Sequence, residues 1–183
     1  MTVDSFLWIL GRVAGLSSFA ALAIAVLTGL ALRSALLDRV ASNRALKATH
    51  EFTTVLWIPL GLLHVAALLL DGTARLQPWD AVVPFIAAYD PAGRLAIGLG
   101  TMAFDLVAIV AISAWLRSRL KAALWYWLHR LSYLAFALLF LHAILSGTDF
   151  SDPVVSAITW SSAFGLMVFS LARLLWGRLP ATP

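Results

Sequence analysis

All four histidines of this chain lie in two apolar stretches: His50 and His64 in one, His129 and His142 in the other. The second stretch, WYWLHRLSYLAFALLFLHA (125–143), is otherwise built mostly of aromatic residues, Leu and Ala. An imidazole in such a setting needs a partner, because unpaired ring nitrogens in an apolar medium are costly. The spacing within each stretch narrows what that partner is. His64 follows His50 by 14 residues and His142 follows His129 by 13. At helical rise these steps are about 21 and about 20 Å, so two parallel helices would present imidazoles at two matched depths. His50 would face His129 at one level, and His64 would face His142 at the other.

A tetrahedral zinc site gathers three or four ligands at one depth, usually with Cys, Asp or Glu among them. Here each level offers two imidazoles. A haem iron already carries four ring nitrogens, and two axial histidines from facing helices complete it. Trp125, Trp127, Tyr126, Phe136 and Phe140 could pack on a porphyrin. Iron closed by two histidines has no open position, which points to electron transfer. The simpler alternative is that each histidine hydrogen-bonds across a helix interface. Four histidines at matched depths in two helices, with none elsewhere, weigh against it. One detail resists the simple geometry: 14 residues return to within about 40° of the same helix face, whereas 13 leave the ring about 140° away. Either helix 4 bends or tightens, or its two rings occupy different lateral positions.

The elements that must hold these rings are membrane spans. Of 183 residues 62% are hydrophobic and 12% charged, about half the charged fraction of a soluble domain; the mean hydropathy is +0.92. Cysteine is absent, which excludes disulfides, thiolate metal sites, iron–sulfur clusters and thiol nucleophiles. The formal charge of +4 comes without a basic tract, so nucleic-acid binding is not expected. Apolar segments near the length of a bilayer crossing fall at 6–32, 48–70, 94–116, 123–146 and 154–176. The expected fold is therefore an all-α membrane bundle of about five helices in a single domain over 1–183, with a six-span count as the alternative. The start, MTVDSFLWILGRVAG, lacks a basic signal-peptide region and is expected to be a retained first span. The 71–94 link holds three prolines and the short apolar piece VVPFIAAY, read as an interfacial or re-entrant segment because eight residues cannot span.

Charge sets the expected orientation. Arg33, Arg39, Arg44 and Lys47 lie in one link, Arg117, Arg119 and Lys121 in another, and Arg173 and Arg178 follow the last helix. Asp4, Asp71, Asp80, Asp90, Asp149 and Asp152 gather at the opposite side. Basic residues stay cytoplasmic, so the N-terminus is expected outside and the C-terminus inside, in a plasma or inner membrane. Gly11 and Gly15 form a GxxxG spacing that would admit a neighbouring helix or a flat cofactor. No internal repeat suggests a transporter built from repeats.

The histidine pairs, the LHRLSYLAFALLFLHA stretch and the PFIAAYDPAGRLAIG approach to helix 3 resemble the ferric reductase-like transmembrane domain. That family includes ferric reductases, NADPH oxidases and the haem subunit of the bacterial methionine sulfoxide reductase system. The resemblance covers roughly residues 8–176. It implies two stacked b-type haems carrying electrons from a cytosolic flavin or NAD(P)H-linked donor to an extracytoplasmic acceptor: Fe(III), oxygen or a partner reductase. By position, His50 and His129 would hold the inner haem, and His64 and His142 the outer one. Arg12 resembles an arginine that some oxidases place beside the outer haem, which makes it the candidate catalytic residue; snorkelling or a propionate contact is its alternative. Relatives in the oxidase and ferric reductase groups continue into FAD- and NAD(P)H-binding domains. This chain has no GxGxxG-type fingerprint and stops soon after Trp176, so FAD or FMN is expected only through a separate reductase partner or as a diffusible donor, with the lipid bilayer and an acceptor protein as the other contacts.

Among the remaining polar residues, Arg130 and Arg44 are candidates for an inner-haem propionate, with Lys47 as a competitor and lipid phosphate as the alternative partner. Glu51 is expected to cap a helix start. Asp105, near mid-span of helix 3, is expected to pair with Arg12 or Ser/Thr groups, or to handle protons or substrate. Pro59 is expected to bend helix 2, and Trp79, Trp160 and Trp176 to sit in interfacial belts. The competing function is a haem-free transporter or channel that relays protons or metals through His and Asp; a haem sensor or assembly factor is a third reading.

Overall fold

The computed structural model describes residues 2–32, 37 and 41–176, without the side chains of Asp149, Arg173 and Trp176. Arg33, Arg39 and Arg178 lie outside the described residues. Five long helices follow one another: α1 (Val3–Ala31), α2 (Asn43–Leu70), α3 (Pro91–Trp115), α4 (Ala122–Ser146) and α5 (Pro153–Trp176). All five contain segments long and apolar enough to cross a bilayer, and no sixth occurs among the described residues. The 71–90 link contains only a short 3-10 turn, Pro78–Ala81, among turns and bends.

Local chemistry explains where the helices begin. Helix α2 starts five residues earlier than its apolar run, because the Ser42 hydroxyl accepts from the Ala45 amide at 3.2 Å and caps the end. Glu51 therefore lies two turns inside the helix and caps nothing. Its carboxylate instead faces Lys47 at 3.7 Å, one turn earlier and well exposed, an arrangement that contributes little. Asp90 caps α3 by accepting from the Gly93 amide, with Pro91 at the first helical position. Asp152 caps α5, accepting from Val154 and Val155 at 2.8 and 3.1 Å. Helix α2 continues through Pro59.

The chain forms two compact units, residues 1–9 with 65–150 and residues 10–64 with 151–183. In the first, α3 and α4 run antiparallel across a short Arg117–Arg119 turn. Small or polar residues, Ala96, Gly98, Thr101, Ala103 and Ser113, make up most of the buried side of α3. Such residues let helices approach where lipid supplies no hydrophobic drive. The buried residues of α4 are Ala135 and Phe136. The 71–90 link is tied to this pair. Thr101 Oγ1 donates to the Asp80 carbonyl at 2.7 Å. Asp80 accepts from the Gln77 amide at 2.9 Å, and Asp71 accepts from the amide and hydroxyl of Thr73 at 2.9 and 2.7 Å.

Phe85 holds a left-handed backbone, φ 66°, a conformation costly for a bulky residue. Its ring lies where a side chain on Gly98 would have to go. Gly98→Ala should displace that ring and destabilise the chain by about 1–3 kcal/mol, read as a lower Tm in detergent.

The Tyr89 hydroxyl donates to the Ala74 carbonyl. Burial raises the Tyr89 pKa above its ordinary value, with Arg75 opposing and Asp71 and Asp80 reinforcing the shift. An unfolded phenol loses its proton near pH 10, while the folded one keeps it. Stability contributed here is therefore present below about pH 10 and falls as pH rises above that value toward the raised folded pKa. Tyr89→Phe should flatten that alkaline decline in Tm.

In the second unit, α1 from Leu10 onward is the most buried helix, with Ala14, Ser18, Ala21, Leu22, Ala25 and Leu30 all covered. Ser18 Oγ donates to the Trp57 carbonyl of α2 at 3.1 Å. Gly165 of α5 rests against Leu27.

Candidate functional site

Three of the four histidines are held in the same way. His64 Nδ1 lies 2.7 Å from the carbonyl oxygen of Gly11, His50 Nδ1 2.7 Å from that of Ala25, and His142 Nδ1 2.8 Å from that of Ala96. A carbonyl only accepts, so in each case Nδ1 carries the proton and donates. The imidazole is then the tautomer that carries its lone pair on Nε2, the form in which a histidine ligates a metal through that nitrogen. The Ser146 hydroxyl also lies 3.3 Å from His142 Nδ1.

Each of these rings also lies against a glycine. A Cβ on Gly15 would sit 2.7 Å from His64 Nδ1, one on Gly29 3.0 Å from His50 Cε1, and one on Gly100 2.6 Å from His142 Nδ1. The GxxxG spacing of α1 is thus occupied by an imidazole: Gly11 supplies the carbonyl and Gly15 the space.

His129 is supported differently. Its ring stacks on Trp125, one turn earlier in α4, at 5.1 Å and 16°, and the Arg117 guanidinium lies 4.4 Å from the same indole. Helix α4 is one unbroken helical segment, so the 13-residue step is expressed as two different surroundings for its rings. His142 rests on α3, whereas His129 rests on its own helix.

The candidate arginines separate by environment. Arg12 is half-buried and follows Gly11, which puts it at the depth of His64. Arg44 is exposed near the start of α2. Arg130 is exposed, with its guanidinium 5.2 Å from the Trp127 ring, and Trp127 is itself 68% exposed. Asp105 is half-buried on α3. The described residues contain no group of three or more His, Asp or Glu able to hold a metal ion. Asp71, Asp80, Asp90 and Asp152 are engaged with backbone amides instead.

The model of the family described as Ferric reductase like transmembrane component matches residues 14–140, more than half of the chain. The chain belongs to this family. No curated protein and no solved structure was found to match it. Membership makes it a multi-pass membrane protein of ferric reductase type, an electron-transfer component in a family that typically binds haem b. The residues present fit that group. An axial imidazole binds iron through one nitrogen while its other N–H is anchored to the protein, and three imidazoles here are anchored in that way.

The carbonyl partners and the glycine notches escape sequence reading because they lie far along the chain from their histidines. Gly11 precedes His64 by 53 residues and Ala96 precedes His142 by 46. The available signal is a glycine on the preceding helix at each of three histidine depths.

Proposed function

We propose that this ferric reductase-type component carries electrons across the membrane on two b-type haems. His50 and His129 hold the haem nearer the cytoplasm, and His64 and His142 hold the outer one. The observation that carries the reading is the shared anchoring of His50, His64 and His142 through Nδ1, the tautomer in which Nε2 is the nitrogen that ligates a metal. When bound, haem b supplies one-electron redox chemistry between ferrous and ferric iron. The chain's own residues supply the rest. The helices span the bilayer, the carbonyls orient the imidazoles, and the apolar surroundings keep water from the rings. Arg12, at the depth of His64, is suited to an outer propionate or an anionic acceptor. Arg44 is suited to the inner propionates, and Arg130, beside exposed Trp127, is better suited to lipid phosphate.

The donor in this reading is a reduced flavin on the cytoplasmic side, presented by a separate reductase. The acceptor is extracytoplasmic: Fe(III), oxygen or a partner enzyme. Outward electron movement follows the membrane potential, at about 2.3 kcal/mol per 100 mV. The N-terminus is then outside and the C-terminus cytoplasmic.

Absorption spectra of the purified chain before and after dithionite, with pyridine haemochrome quantitation, test the proposal. The expected result is about two b-type haems per chain with low-spin reduced spectra. A colourless protein from haem-sufficient cells would overturn it in favour of a His/Asp relay.

A further inference from the structure

We infer that Gly15, Gly29 and Gly100 are positioning residues, each the notch through which one ligating imidazole reaches the helix carbonyl four residues earlier. The inference rests on the haem-ligand reading above.

The pattern repeats with a fixed offset. His64 uses Gly15 and the carbonyl of Gly11, His50 uses Gly29 and the carbonyl of Ala25, and His142 uses Gly100 and the carbonyl of Ala96. The offset has a physical cause. In an α-helix the carbonyl of residue i−4 already accepts the amide of residue i, and its second lone pair faces the helix surface beside residue i. Side chains in a helix lean toward the N-terminus, so a Cβ at residue i projects over that approach. A ring N–H arriving from another helix can reach the carbonyl only where residue i lacks a Cβ.

Ordinary helix packing accounts less well for these glycines. Close ring contact alone is not the mark, since an added Cβ on Gly98 would meet only the Phe85 ring and one on Gly165 would meet only Leu27, at 3.4 Å, but neither neighbour has an N–H to give a helix carbonyl. At Gly15, Gly29 and Gly100 the three nearest atoms all belong to an imidazole, and the closest approaches are 2.7, 3.0 and 2.6 Å. A Cβ on Gly15 or Gly100 would displace the ring, and one on Gly29 would require the ring to give by a few tenths of an ångström.

The fourth histidine marks the boundary of the rule. Counting 13 residues along α3 from Gly100, to match the antiparallel step from His142 to His129, leads to Ser113. Ser113 is buried and bonds the Val110 carbonyl of its own helix at 2.8 Å. There is no glycine notch at that register, and His129 stacks on Trp125. The chain therefore has two kinds of imidazole support: three rings held through Nδ1 on a glycine notch, and one held by an indole face.

The test uses the full-length chain purified in detergent, with haem count, midpoint potentials and low-spin electron paramagnetic resonance as readouts. Gly15→Ala and Gly100→Ala should each lose or perturb the same haem as His64→Ala and His142→Ala, and Gly29→Ala should perturb the other. Where the haem is retained, loss of the Nδ1–H bond makes the imidazole a weaker donor, so the midpoint potential should rise and the g-values should change. Gly165→Ala is the control and should leave all three readouts as they are.

A stability cycle separates the notch from general packing and needs no haem. Gly15→Ala should lower the Tm of the wild-type chain. In a His64→Ala background, where the ring is gone, it should lower the Tm far less. Equal Tm losses in both backgrounds, or unchanged potentials and g-values in Gly15→Ala, would overturn the inference. A wild-type chain without haem would defeat the proposed function, while the cycle would still report on the notch.

Discussion

Replacing His64 or His142 with alanine will reduce the haem content of the purified chain from about two b-type haems to about one. Both variants should lose the same haem, whereas His50→Ala and His129→Ala should lose the other. The effect is expected to be large because, in the proposed arrangement, each haem would be held by imidazoles from two helices, and removing one would leave a single tether. The surviving haem should be spared, because the two levels are about 20 Å apart along the helices. Pyridine haemochrome counts, with redox titration to show which potential disappears, provide the measurement. If His64→Ala and His142→Ala removed different haems, pairing by depth would be wrong, even if the chain proved to be a di-haem protein.

Phe136→Ala should be the most destabilising single change in the apolar interior, at about 3–5 kcal/mol. Phe136 is 2% exposed, the largest fully buried side chain among the described residues. In a bilayer the loss does not come from returning apolar surface to water, since lipid tails are as apolar as the ring. It comes from the void left behind, whose lining atoms lose their dispersion partners. Phe136→Leu, which keeps most of the volume, should cost much less. Thermal unfolding in detergent, followed by helix content, checks both. A Phe136→Ala chain with unchanged Tm would mean that neighbouring helices close over the space.

Much of this architecture was legible because the physics behind it is local. Five apolar runs near bilayer length became α1 to α5, since an unpaired backbone in lipid leaves few alternatives to a helix. The helix ends were less legible. A polar first turn does not register as apolar, so α2 begins at Asn43 under the Ser42 cap and Glu51 falls inside it. Asp90 and Asp152 counted toward an acidic face by charge, but their carboxylates are used as helix caps. Charge can be counted along a chain; the amide a carboxylate faces cannot.

The histidines divide the two kinds of knowledge most clearly. Their type, number and 14- and 13-residue steps were sufficient to suggest paired axial ligands, because imidazole is rare and costly in an apolar helix. Sequence alone named which residues could ligate and how far apart along their helices they lie. Only the tertiary structure decided how each ring is held: three on glycine notches with Nδ1 donating to a carbonyl, and His129 on Trp125. Ring orientation depends on which backbone of a distant segment comes within 3 Å, and that proximity arises when helices pack against one another.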